Sequence, residues 1–325
     1  MLRYTFWTGL IGLIIIAAIF LTGPREVLDR TVTFDPAMLG DDLERYLAER
    51  EAAIPGVRPG AEAEIIWADQ ADPAKTDLAI VYLHGFSATK EEIRPVPDRV
   101  AAALGANVFF ARLRGHGRDG EALAAATAGQ WWNDTIEALE IGRRLGERVI
   151  VIGASTGATL ATLALADGDV SANVVAFIAI SPNYRFHGAP LAVLTMPYAR
   201  EILPPIMGER REWEPINEEQ GLWWTTSYPS VAVLPMAATV SAAQDIDVGQ
   251  IDRPALMIFA DDDQVVDHEV TRQVATAWGG DVTILNPAPN ASESPSRHII
   301  VGDIMGKSLT EPVTTAIIDW VKGLK

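Results

Sequence analysis

The chain has 325 residues and 49% hydrophobic content, enough to bury the core of one large domain or of a domain carrying an insertion. Its 43 acidic side chains outnumber 26 basic ones and leave a formal net charge of −17, which argues against nucleic acid as a partner and against a strongly anionic bilayer surface. There is no cysteine, which excludes a disulfide, a thiolate nucleophile and a Cys-ligated metal.

The N-terminal run from Phe6 to Leu21 is apolar apart from Thr8, Gly9 and Gly12. With Tyr4 and Thr5 it reaches the length a helix needs to cross a hydrocarbon core of ~30 Å. A cleaved signal peptide calls for a shorter run and a small-x-small site. The only small pair, Ala17-Ala18, lies inside the run, so an uncleaved single-pass anchor over residues 1–23 is expected. Tyr4 and Trp7 would sit at one interface, and Arg3 with the α-amine would hold the N-terminus in the cytoplasm, placing the rest of the chain outside. The expected localisation is therefore the membrane.

Residues 24–61 are charged and contain prolines, and read as a tether and lead-in. Within them the stretch 41–50 has Leu43, Tyr46 and Leu47 on one face of a short amphipathic helix. From residue 62 onward short apolar runs alternate with helical periods. Strands are predicted at 62–67, 78–83, 107–112, 148–152, 174–180, 254–260 and 281–285, and helices near 90–104, 130–146, 156–167, 267–278 and 311–323. This alternation implies parallel βα units in a sheet covered on both faces, an α/β doubly wound architecture. Residues 183–250 break the rhythm: they hold Met196, Met207, Trp213, Trp223, Trp224, Tyr228 and Met236 with many prolines, and no clear strand. They are expected to form an apolar cap inserted into a core made of 62–182 and 251–325.

One stretch concentrates the chemistry. Val149-Ile150-Val151-Ile152 runs into Gly153-Ala154-Ser155-Thr156-Gly157, and an Ala-rich segment follows. A buried strand entering G-x-S-x-G before a helix makes a sharp turn that lifts a serine hydroxyl clear of the backbone. The helix start supplies free N–H groups where a negative oxygen would form.

A serine nucleophile needs a base, and the base needs an orienting acid. At sites of this shape the partners follow in the order serine, acid, histidine. Of His84, His116, His187, His268 and His298, only the last two lie beyond both Ser155 and the next acidic turn. His268 opens a predicted helix, whereas His298 sits in a loop before the final helix, at the sheet edge where ligands meet such folds. His298 is the expected base. The turn 261–267 offers Asp261, Asp262, Asp263 and Asp267; Asp263, followed by Gln264-Val265-Val266, can fold back against the core while its carboxylate faces the imidazole, and it is the expected acid. Asp261, Asp262 and Asp267 suit a turn and a helix N-cap. The oxyanion donors are expected to be the N–H of Thr156 and of Phe86, the latter in the loop after the strand ending at Leu83. His84 and His116 read as loop braces. No metal or cofactor is required by this set.

His84-Gly85-Phe86, Arg114-Gly115-His116-Gly117, Gly153-Ala154-Ser155-Thr156-Gly157, Asp263-Gln264-Val265-Val266 and His298, in that order, resemble the α/β-hydrolase superfamily and, within it, the lysophospholipase/monoacylglycerol-lipase-like branch of the serine aminopeptidase S33 or hydrolase-4 type. Trp132 and Asp134 match a tryptophan and acid common before the nucleophile strand. The resemblance covers roughly 62–325. It implies an eight-stranded, mostly parallel sheet, a cap insertion, and hydrolysis through an acyl-enzyme. Phe86 departs from the small or polar residue usual after His-Gly and would narrow the acyl side of the pocket; the N-terminal apolar segment is also outside the usual pattern.

The expected function is thus a membrane-anchored serine hydrolase acting on an acyl or lipid-like ester. A peptidase or amidase, an acyltransferase, and a non-enzymatic binding domain are the alternatives. A dedicated aminopeptidase would want acidic cap residues for the substrate amine, and Glu212, Glu214, Glu218 and Glu219 are the side chains available there.

Overall fold

The computed structural model describes residues 2–324. In chain order the elements are α1 (Leu2–Thr22), α2 (Leu43–Ala52), β1 (Glu64–Ile66), β2 (Thr76–Leu83), α3 (Val96–Leu104), β3 (Asn107–Phe110), α4 (Gly120–Ala125), α5 (Ala128–Leu145), β4 (Gly146–Ala154), α6 (Thr156–Leu165) and β5 (Val174–Ile180). There follow α7 (Leu191–Leu194), α8 (Ala199–Ile202), α9 (Pro204–Met207), β6 (Arg210–Glu212), α10 (Glu218–Trp223), β7 (Ser227–Pro229) and α11 (Val233–Gln244). The chain closes with β8 (Ala255–Ile258), α12 (His268–Ala277), β9 (Val282–Leu285) and α13 (Lys307–Gly323).

Seven strands form the main sheet in the order β1-β3-β2-β4-β5-β8-β9, all parallel except β1, which pairs antiparallel with β3. The period of two along each strand assigns its side chains to two cores. Ala79, Val81, Val149, Val151, Phe177 and Met257 face one side and pack with Trp132, Leu139, Ala158 and Ala161 of α5 and α6. Ile80, Tyr82, Ile150, Ile152, Ile178 and Leu256 face the other and pack with Val96, Val100, Val313 and Ile317 of α3 and α13. Burial on both faces is why these strands read as continuous apolar runs.

The helices start where their caps dictate. Thr127 and Gln130 close a reciprocal capping box on α5, and Asp42 and Asp267 accept from backbone N–H groups at the starts of α2 and α12. The helix predicted from residue 90 begins only at Val96, after Pro95, with Pro97 tolerated in its first turn and a short 3-10 turn left at Lys90–Ile93.

The resemblance implied eight strands, and the main sheet has seven. The stretch before β1 contains Pro55, Gly56, Pro59 and Gly60 and forms turns after α2, with no alternating run to extend the sheet edge. Leu39, Leu43 and Leu47 of the lead-in are buried in the core. Arg50 bridges to Glu137 (3.0 Å) and Asp134 (3.6 Å), while Glu51 pairs with Arg112 at 2.7 Å.

The expected membrane anchor is also corrected. Helix α1 forms over the apolar run, but among the described residues no helix is long and apolar enough to cross a membrane. The side chains of Arg3 and Tyr4, on which orientation and interfacial anchoring rested, lie outside the described residues. The localisation inferred from that anchor falls with it.

Candidate active site

The sheet ends converge on the turn after β4. Ser155 follows Ala154 directly, adopts φ 48°, and is succeeded at once by α6. Positive φ is costly for a residue with a Cβ and is held here by its surroundings. A Cβ on Gly157 would lie 2.0 Å from the Leu83 carbonyl oxygen, and one on Gly153 would lie 2.6 Å from the Ala158 Cα. These two glycines let α6 pack against the ends of β2 and β4. That contact is what G-x-S-x-G encodes locally.

His298 lies between β9 and α13, its carbonyl accepting the Ser181 hydroxyl at 2.5 Å. Its Nε2 is 2.9 Å from Ser155 Oγ, and its Nδ1 is 2.8 Å from Asp263 Oδ2. A carboxylate can only accept, so Nδ1–H donates to Asp263 and Nε2 is left to accept the serine hydroxyl. Asp263 Oδ1 accepts the backbone N–H groups of Val265 (2.7 Å) and Val266 (3.0 Å), which leaves Oδ2 to face the imidazole. Burial opposes a charged His298, but the Asp263 carboxylate, its hydrogen bond and the charge of Glu92 outweigh this, and the pKa of His298 is raised.

The other acids and histidines take structural partners. Asp261 pairs with Arg272 and Asn286, Asp262 with Arg297 at 2.9 Å, and Asp267 caps α12 while pairing with Arg185. His268 meets Glu269 at 3.1 Å. His84 donates from Nδ1 to the Gly85 carbonyl (2.9 Å) and accepts the Leu113 N–H at Nε2 (3.1 Å); burial lowers its pKa to about 4. His116 packs edge-on to His84 and is likewise held neutral by burial. The loop at Arg114 is tied by its N–H to Asp134 Oδ2 at 2.5 Å.

Phe86 and Thr156 flank Ser155, and neither N–H is engaged by a protein acceptor among the described residues. The Phe86 ring stands edge-on to Tyr228 at 5.4 Å between centroids. Beneath this loop lies a residue that sequence reasoning missed. Glu92, 1% exposed, accepts the Gly85 N–H at 2.5 Å and the Tyr82 hydroxyl at 2.6 Å. Burial pushes its carboxyl up to about 7, against the lowering effect of those two bonds. Its only sequence signal was a glutamate eight positions after His84, at the start of the helix predicted near 90–104.

Ser155 and His298 open into a cavity of about 480 Å3. Phe86, Phe186, Leu194, Trp213, Trp224 and Met236 make its walls largely apolar. The polar lining includes Asn183, whose buried Oδ1 has no partner among the described residues, and Arg211. Among the described residues no Asp or Glu side chain lines it, although the chain carries 43 of them. Glu212, Glu214, Glu218 and Glu219 all lie outside this lining.

Comparison with known proteins places this arrangement. The model of a family described as the alpha/beta hydrolase family matches residues 80–296, more than half of the chain. A structure from the work on LipS and LipT, two metagenome-derived lipolytic enzymes, superposes with a TM-score of 0.65 at 20% identity, over 82% of this chain and 100% of that one. A monoglyceride lipase of Saccharomyces cerevisiae gives 0.57 at 13% identity, over 80% of this chain and 90% of that one. The monoacylglycerol lipase of Paleococcus ferrophilus gives 0.55 at 13% identity, over 80% and 97%. A search of curated proteins finds no match. At these identities the structural likeness speaks to the fold; the family match, over a chain with this sheet and this strand–turn–helix, shows that the protein belongs to the alpha/beta hydrolase family.

Proposed function

We propose that this protein hydrolyses carboxylic esters through an acyl-enzyme, with Ser155 as nucleophile, His298 as general base and acid, and Asp263 as the group that orients His298. The observation that carries the reading is the continuous hydrogen-bond chain from Ser155 Oγ to His298 Nε2 (2.9 Å) and from His298 Nδ1 to Asp263 (2.8 Å), open to an apolar cavity. Ser155 Oγ attacks the ester carbonyl carbon while its proton passes to Nε2. The oxygen that gains charge is met by the Phe86 and Thr156 N–H groups. As the ester C–O bond breaks, Nε2–H returns the proton to the leaving alcohol. Water then gives a proton to Nε2 and attacks the acyl carbon, and Ser155 recovers its proton as the acid leaves. In this reading 62–182 and 251–325 form the catalytic core, 183–250 the cap over it, and 24–61 the lead-in.

An apolar lining favours an acyl or lipid-like ester, the substrate class borne by the names of the lipolytic enzymes and monoglyceride lipases of like fold. A carboxylate-free lining disfavours the aminopeptidase alternative, which needs an acid to hold a substrate amine.

The test is labelling by a fluorophosphonate probe, for wild type and Ser155→Ala, with turnover of p-nitrophenyl esters of increasing acyl length. Labelling that depends on Ser155, with turnover, supports the reading. No labelling, or equal labelling of both proteins, overturns it. Product analysis with an added alcohol separates hydrolysis from acyl transfer.

A further inference from the structure

The cavity carries one guanidinium. Strands β6 and β7 form a two-stranded antiparallel ribbon with Arg211 directly opposite Tyr228. Opposed residues in such a pair project from the same face, and their neighbours project from the other. The two faces differ in chemistry. On one, Arg210 pairs with Glu121 at 2.5 Å and approaches Glu212 at 3.8 Å, while Glu212 accepts the Ser227 hydroxyl. On the other, Arg211 and Tyr228 line the cavity, and Arg211 has no ion pair among the described residues. Tyr228 in turn meets Phe86 edge-on, which links the ribbon to the loop beside Ser155.

An unpaired arginine is unremarkable on a basic surface. Here it stands in a chain of net charge −17, in a cavity that no described carboxylate lines. The acids nearest in sequence, Glu209 and Glu212, leave Arg211 unneutralised. Arg211 lines the cavity while remaining exposed to solvent, and its guanidinium presents a planar fork of donors that matches a carboxylate two-fold. Repulsion of cationic substrates follows from the same arrangement.

We propose that the substrate of this site is an ester that also carries a free carboxylate, held by Arg211 while the ester carbonyl lies at Ser155. The proposal rests on the ester-hydrolase reading and narrows it. Tyr228, whose phenol burial keeps protonated with Arg211 beside it, would position the guanidinium.

The experiment compares mono-p-nitrophenyl esters of glutaric, adipic and suberic acid with the p-nitrophenyl esters of pentanoic, hexanoic and octanoic acid, matched in chain length and differing in the terminal carboxylate. The quantity read is the ratio of kcat/KM, anionic over neutral. For at least one length the ratio in Arg211→Gln should fall ~10- to 100-fold below wild type, chiefly through KM, as expected for loss of a charge-assisted pair. A ratio unchanged at all three lengths, with the neutral esters turned over, overturns the proposal and leaves the hydrolase reading intact. If wild type turns over none of the esters, the hydrolase reading fails, and binding decides the proposal instead. Titration of Ser155→Ala with the same six compounds, followed through the fluorescence of Trp213 and Trp224, should show carboxylate-dependent binding that the double variant with Arg211→Gln loses. Equal binding of anionic and neutral compounds overturns it.

Discussion

Glu92 Oε1 accepts the backbone N–H of Gly85 at 2.5 Å, so a fully buried carboxyl supports the loop that presents the Phe86 N–H. Replacing Glu92 by Ala would leave the Gly85 N–H and the Tyr82 hydroxyl buried without an acceptor. We expect a loss of about 3 kcal/mol of stability from the two unpaired groups and the void. Glu92→Gln keeps one acceptor oxygen and should cost less. Chemical denaturation of both variants checks the order.

The same carboxyl gives stability a pH dependence of definite sign. Burial raises the folded pKa of Glu92 from 4.5 to about 7, so between these values the folded state holds a proton that the unfolded state has released. Its contribution is therefore fully present below the unfolded pKa and is lost as pH rises toward 7. Stability should fall from pH 5 to pH 8, and Glu92→Gln should flatten that segment of the curve. A wild-type curve whose slope survives the substitution would count against this assignment.

In the proposed mechanism His298 must be neutral at Nε2 to take the serine proton. Its pKa is raised above 6.5, so kcat/KM for an ester should rise with pH and reach half its plateau above 6.5. Asp263→Asn removes the charge that raises it and frees the imidazole to adopt the other tautomer. The midpoint should move down, and kcat should fall by ~10⁴, the size of effect such a change has in serine hydrolases of this logic. A pH–rate profile of both proteins reads the two effects together.

Ser155 holds φ 48°, a conformation glycine adopts freely. Ser155→Gly should abolish probe labelling while raising stability by about 1 kcal/mol, since the strain of such a residue is of that order. Thermal unfolding measured beside labelling would separate the two. A loss of stability would indicate that the serine side chain contributes more to the fold than its backbone costs.

Arg50 lies between Glu137 and Asp134 with only 14% of its side chain exposed. Removing one partner of a buried charge cluster leaves the others uncompensated, which costs about 3–5 kcal/mol. Arg50→Ala should destabilise the protein on that scale, and Arg50→Met, which keeps the volume but not the charge, should not restore it. Urea unfolding of the two variants makes the comparison.

Several features were legible because they are local. The run Val149–Ile152 before Gly153, Ser155 and Gly157 specifies strand, turn and helix through steric rules that act within ten residues. Asp267 marked a helix start by the same short-range hydrogen bonding. The pairing of Ser155 with Asp263 and His298 was legible in another way, because chain order and the chemistry of a serine nucleophile leave few alternatives. The apolar N-terminal run led to the expectation of a membrane span, which no described helix meets.

What composition and pattern determined by themselves, then, was the layered α/β architecture and the candidate residues, Ser155, Asp263 and His298, that the fold brings into one hydrogen-bonded chain. What only the tertiary structure decided was which charges meet. Glu92 reads as a surface acid until β2 and the loop at Gly85 close over it. Arg210 and Arg211 are indistinguishable in sequence until the register of a three-residue ribbon sends one to Glu121 and the other into the cavity. The absence of a carboxylate from the described lining follows from where loops far apart in the chain converge. Electrostatic environment is a property of distance in space, and at these positions sequence separation carries almost no information about it.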